Sequence, residues 1–194
     1  DPQIELVLAS SSPFRRRLLE QLSVEFRALD PKIDESPFTD ETPQMLVSRL
    51  SVNKARAVVP QAPASLIIGS DQVAVHKGRI VGKPKSHSEA VAQLMSSSGK
   101  TITFLTSITL LNSTNGTLQT EVVPYAVQFR PLTRELIERY LIREQPYGCC
   151  GSLRADGLGI ALLDWLKGDD PTALIGLPLT VLTQMLEKEG LRVL

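Results

Sequence analysis

Two long strand-like runs, Thr101 to Leu111 and Thr117 to Phe129, are joined through Asn115-Gly116. Asn-Gly between such runs is a strong hairpin signal, because both residues tolerate the positive φ of a tight reversal. These two strands must therefore lie antiparallel, whereas the rest of the chain alternates strands with helices. Ile4 to Ala9 is an apolar run that reads as a buried strand, and Val24 to Leu29 reads as a second. Ser65 to Val75 is another, and Lys77-Gly78 turns it into Arg79 to Val81. Helices are predicted from Ser12-Pro13, from Thr42-Pro43 to about Val59, and from Ser86 to near Gly99. Two more cover Leu132 to Arg143 and Pro178 to Glu189. Asp30 to Glu41 is a polar, Pro-containing loop. The segment Leu158 to Lys167 fits a strand or a helix, and its pattern does not decide. An antiparallel hairpin among strand-helix units gives an α/β fold with a mixed sheet.

The 194 residues fit one domain, 1–194, large enough for a sizeable core. Apolar residues make up 42% and charged residues 22%, as in ordinary soluble proteins. No apolar run is long enough to span a bilayer, and no basic-then-apolar signal segment opens the chain. With 21 basic against 21 acidic residues, the charge balance argues against a general nucleic-acid binder. Aromatics at 5% argue against a single-stranded nucleic-acid module. Cys149 and Cys150 are adjacent, which suits neither a disulfide nor metal-ligand spacing. They read as small half-buried thiols in a reducing cytoplasm.

In the first strand-helix unit, Ser12 caps the helix, Pro13 opens it, and Arg15, Arg16 and Arg17 fall in or near its first turn. Cations there oppose the helix dipole. An anion held between the helix N-terminus and the arginines removes the conflict, as phosphate does elsewhere; a solvated basic face is the competing reading. Asp71, in Gly69-Ser70-Asp71-Gln72, interrupts the apolar strand and must be paired or metal-bound if buried. Glu35, Lys54 and Lys83 are individually commonplace.

Together these segments resemble the Maf family of nucleoside triphosphate pyrophosphatases. The matching motifs are Ser10-Ser11-Ser12-Pro13-Phe14-Arg15, Asp34-Glu35-Ser36, Lys54-Ala55, Gly69-Ser70-Asp71-Gln72 and Gly82-Lys83-Pro84. Gly151-Ser152 to Gly157-Leu158-Gly159 and Ile175-Gly176-Leu177-Pro178-Leu179 complete the series in order. The resemblance implies a two-lobed Maf/ITPase-like fold with a nucleotide cleft between the lobes. It implies cleavage between the α- and β-phosphates with a divalent metal, Mg²⁺ or Mn²⁺. Asp71 would be the catalytic acid and, with Glu35, a metal ligand, since hard cations need few carboxylates when phosphates and waters complete the shell. Ser10, Arg15, Lys54 and Lys83 would bind phosphate, with Arg16 and the backbone amides of the Ser10 to Ser12 turn in support. Arg17, beyond the motif, is expected to face solvent. A homodimer also follows from the resemblance. A regulatory nucleotide-binding role linked to septum formation is the non-enzyme alternative.

Phe14, Gln72 and Asp156 stand where the family's branches differ. They resemble the branch acting on 7-methyl-GTP, which carries Trp, Gln and Glu there, rather than the UTP and dTTP branch with Arg, Thr and Gln. N7-methylation makes guanine cationic, so an aromatic face attracts it and a carboxylate balances it. The chain departs from that branch with Phe14 for Trp, Arg154 for Lys and Asp156 for Glu. A structural reading, in which Phe14 packs beside the first helix and Asp156 caps a turn, competes with this one.

Overall fold

The computed structural model describes residues 3–194. One seven-stranded sheet runs through it in the order β2-β1-β3-β5-β6-β7, with β4 attached to β3. The chain begins with β1 (Glu5–Ala9), α1 (Pro13–Glu20) and β2 (Arg27–Leu29). It continues through α2 (Pro43–Ala57), β3 (Ser65–His76), β4 (Arg79–Val81) and α3 (His87–Ser97). Then come the hairpin strands β5 (Thr101–Asn112) and β6 (Leu118–Phe129), followed by α4 (Arg134–Glu144). Last are β7 (Leu163–Lys167), α5 (Pro171–Ile175) and α6 (Leu179–Lys188). β1 pairs parallel with β2 and β3, while every other pairing is antiparallel, so the sheet is mixed as expected.

The helices start where small hydroxyls can accept backbone N–H bonds. Ser12, Thr42, Ser86 and Thr133 each cap the helix that follows. The hairpin forms, but its connection is wider than two residues. Gly116 takes φ +77°, and Asn115 accepts the Thr117 amide through its side chain. The undecided segment splits in two: Leu158–Leu162 is a 3₁₀ turn and Leu163–Lys167 is the edge strand β7. The second strand is only three residues long, shorter than Val24 to Leu29. α5 was not foreseen.

Two lobes share the long strands. In one, α1 and α6 cover one face of the sheet, where Leu6, Leu8, Leu66 and Ile108 meet Leu19, Leu182 and Leu186. Its other face carries α2, with Val7 and Ile67 against Ala55 and Val58. In the second lobe, Phe104, Val127 and Phe129 pack under α3 and α4, against Leu94, Ile137 and Leu141. The seam between lobes has a definite cause. β1 pairs with β3 only as far as Ile68, and β4 joins the same edge only from Ala74. Between them the edge of β3 has no strand neighbour, and Asp71 and Gln72 lie in that gap. β2 and β3 flank β1 and are reached through α1 and α2 on opposite faces of the sheet, the kind of switch point at which α/β sheets open a ligand crevice.

Candidate active site

A cleft of about 960 Å³ opens over this gap, within the range of small-ligand pockets. Alternation along β3 sends successive side chains to opposite faces. Ser70 and Gln72 point toward α5: Ser70 Oγ lies 2.7 Å from the Ser107 carbonyl and 3.1 Å from that of Gly176, and Gln72 Nε2 donates to the Ala173 and Leu174 carbonyls at 3.1 and 2.9 Å. Asp71 points toward α2. A Cβ at Gly69 would collide with the Ser51 carbonyl oxygen, so only glycine lets α2 come this close. That approach delivers Lys54 to Asp71.

Lys54 organises the acids. Its Nζ lies 2.8 Å from Asp71 Oδ1 and 3.1 Å from Glu35 Oε1, and it donates to the Ser70 carbonyl at 3.3 Å. Asp71 is 7% exposed, so its charge needs this partner. Glu35 is more open and comes from the loop between β2 and α2. Arg49 on α2 ties that loop down: it donates to Glu41 at 2.7 and 3.0 Å and to the Ser36 carbonyl at 2.9 Å. Its guanidinium also sits 3.8 Å from the centroid of Phe38. The Arg49 strap carries one signal in the sequence, an arginine five residues before Lys54 on an earlier turn of the same helix.

Arg15 enters from the first turn of α1, and its Nε donates to the Gly176 carbonyl at 2.7 Å. Burial lowers its pKa, with Asp71 the leading opposing influence, but arginine starts so far above neutrality that it stays charged. Lys83 lines the facing wall, along with Lys85. Ser10 is buried and its Oγ accepts the Ser12 amide at 3.0 Å. The Ser12 amide, expected to face phosphate, is engaged within the turn. Arg16, expected in support of phosphate binding, is exposed and lies 3.6 Å from Glu20 on the next turn of α1. Arg17 is exposed as expected, yet its guanidinium stands 5.9 Å from the Phe14 ring.

At the other end lie Phe14, Arg154 and Asp156, the last exposed on the turn before the 3₁₀ segment. The backbone carbonyls of Ala173 and Leu174 and the Thr106 hydroxyl accept from the Gln72 amide, which fixes its NH₂ against α5. Cys149 and Cys150 also line the cleft, and burial pushes both thiols up to about 11. Neither is a thiolate at neutral pH, and Cys150 Sγ donates to the Gln72 carbonyl at 3.3 Å. They act as wall material.

Asp71 and Glu35 are oxygen donors that converge on one ammonium, so the same two carboxylates fit a single hard cation. Among the described residues no cluster of three or more His, Cys, Asp and Glu side chains is present. Two carboxylates would leave the remaining positions of such a cation to phosphate oxygens and waters.

The profile of Maf-like proteins matches residues 5–189, spanning every motif of the cleft. The chain belongs to the Maf family. A Nitrosococcus oceani protein named 7-methyl-GTP pyrophosphatase is 53% identical to this Maf chain over 189 residues, covering 97% of it and 95% of the relative. A protein of the same name from Pseudomonas savastanoi pv. phaseolicola is 52% identical over 188 residues, covering 97% and 98%. Among solved structures, a HAM1 protein from Coxiella burnetii is 16% identical with a TM-score of 0.46, covering 66% of this chain and 73% of its own. That likeness is too loose to carry an argument. The Maf resemblance read from the motifs thus holds over the whole series, Ser10 to Leu179.

Proposed function

We propose that residues 1–194 form one metal-assisted nucleoside triphosphate pyrophosphatase domain that prefers 7-methyl-GTP and releases 7-methyl-GMP and pyrophosphate. The observation that carries this reading is the single ammonium of Lys54 holding Asp71 and Glu35 together in a cleft whose other walls carry Arg15 and Lys83. Names of relatives about 50% identical over nearly their full length support the substrate. In this reading Asp71 accepts a proton from the attacking water, whose oxygen bonds to the α-phosphorus. The bond from the α-phosphorus to its bridging oxygen breaks, and pyrophosphate leaves. Arg15 and Lys83 neutralise the triphosphate and the charge that grows on the leaving group. Lys54 orients Asp71 and Glu35, and the Ser10 hydroxyl donates to a phosphate oxygen. A Mg²⁺ or Mn²⁺ ion on Asp71 and Glu35 would add charge neutralisation at the phosphates. Phe14, Asp156 and Gln72 take the base.

Two free cysteines support a reducing, cytoplasmic setting. The pocket's single-nucleotide size supports a small-molecule substrate rather than a nucleic acid. No helix among the described residues is long and apolar enough to cross a membrane. Family resemblance supports a homodimer.

The direct test is Asp71→Asn, which is expected to bind nucleotide within about threefold of the unaltered protein while losing at least about a hundredfold of turnover. Chelation with EDTA is expected to abolish activity, and Mg²⁺ or Mn²⁺ to restore it. Unchanged turnover in Asp71→Asn would remove Asp71 from the reaction, and full activity after exhaustive chelation would remove the metal.

A further inference from the structure

The base end of the cleft already contains a cation. The Arg154 guanidinium carbon lies 5.3 Å from the centroid of Phe14, and its Nε lies 3.4 Å from Asp156 Oδ1. The aromatic face and the carboxylate suited to a positively charged base are therefore bridged by a resident positive charge.

Arg154 is also tethered from behind. Its Nη1 lies 3.8 Å from Glu144 Oε2 on α4. Glu144 is itself fixed: its Oε1 accepts the Leu158 amide at 2.6 Å, and Gly157 packs so close to that carboxylate that a Cβ there would collide with it. The Arg154 guanidinium therefore stands beside two carboxylates, Asp156 and Glu144.

We propose that Arg154 is a specificity-determining residue that holds down the preference for a cationic base. This rests on the proposed reading of Phe14 and Asp156 as the base subsite. A base with a positive charge gains from the ring face and from the carboxylate, and Arg154 opposes both gains. It takes the ring face, it compensates Asp156, and it repels a like charge. A neutral guanine forgoes less, because its stacking and hydrogen bonds do not depend on net charge. Discrimination between 7-methyl-GTP and GTP is thus smaller than Phe14 and Asp156 alone would give.

The test compares Arg154→Gln and Arg154→Lys with the unaltered protein. Equilibrium binding of 7-methyl-GMP and GMP is measured by calorimetry, and kcat/KM for 7-methyl-GTP and GTP by pyrophosphate release. In Arg154→Gln the ratio of methylated to unmethylated nucleotide is expected to rise about three- to tenfold in both measurements, through KM rather than kcat. The gain should shrink as salt is added. Arg154→Lys should stay near the original ratio, because it keeps the charge. An unchanged or lower ratio in Arg154→Gln would overturn the proposal. So would an equal loss of affinity for both nucleotides, which would mean that Arg154 grips phosphate. A protein that hydrolyses neither triphosphate would overturn the pyrophosphatase reading instead, while the monophosphate binding ratio would still decide the role of Arg154.

Discussion

Lys54 meets three oxygens with one ammonium, and they come from two segments the fold must bring in separately: Asp71 and the Ser70 carbonyl from β3, and Glu35 from the loop after β2. A lysine in a helix looks like any solvated cation in the sequence, so its burial could not be read there without the family's motif. The arginines teach the same lesson. Arg15, Arg16 and Arg17 are indistinguishable by type, yet helical geometry sends Arg15 into the cleft, Arg16 outward to Glu20 and Arg17 beside Phe14. Arg15→Ala and Lys83→Ala are each expected to lower kcat/KM roughly a hundredfold, about 3 kcal/mol of transition-state stabilisation. Arg16→Ala should stay within about threefold, as for an exposed pair on one helix face. Steady-state kinetics on the three variants check this; an Arg16 effect as large as that of Arg15 would show that the first turn of α1 meets substrate differently.

At the scale of elements, what the sequence made legible is what local rules determine. Ser-Pro and Thr-Pro mark the starts of α1 and α2, and Asn-Gly marks the hairpin, because caps and turns are satisfied by neighbouring residues. α5 was missed because five residues carry no periodicity, and its role depends on remote partners: its carbonyls hold the Gln72 amide, and the Gly176 carbonyl at its end holds Arg15. β7 was ambiguous because an edge strand with an exposed face reads like an irregular amphipathic segment. The approach of α2 to β3 could be suspected only from Gly69, whose missing side chain makes room for the helix backbone. Gly69→Ala is expected to cost about 1–3 kcal/mol in urea unfolding and to lower activity further by withdrawing Lys54 from Asp71. Full stability with full activity would mean that the two elements have slack at this contact.

Across the whole molecule, the two lobes are joined by shared strands, and one buried acid ties α5 to α6. Asp170 is 1% exposed, and its carboxylate accepts the amides and hydroxyls of Thr172 and Thr180, joining α5 to α6. Burial alone would raise its pKa, but those hydrogen bonds outweigh it and hold the group below the usual aspartate value. A lowered native pKa contributes stability above the unfolded pKa of about 4, and that contribution fades as pH falls through the native value. Asp170→Asn is therefore expected to lose about 2 kcal/mol near neutrality and to show a flatter loss of stability below about pH 4. Denaturant melts across pH check it; parallel pH profiles for the two proteins would assign the acid sensitivity elsewhere. The central claim concerns what the cleft between these lobes turns over, and the most direct measurement is pyrophosphate release from 7-methyl-GTP, GTP, UTP and dTTP by the unaltered protein with Mg²⁺. The expected result is the highest kcat/KM on 7-methyl-GTP, with pyrophosphate and the nucleoside monophosphate in equal amounts. A clear preference for UTP or dTTP would contradict the assignment of the base subsite, and no pyrophosphate from any of the four would contradict the assignment of the reaction.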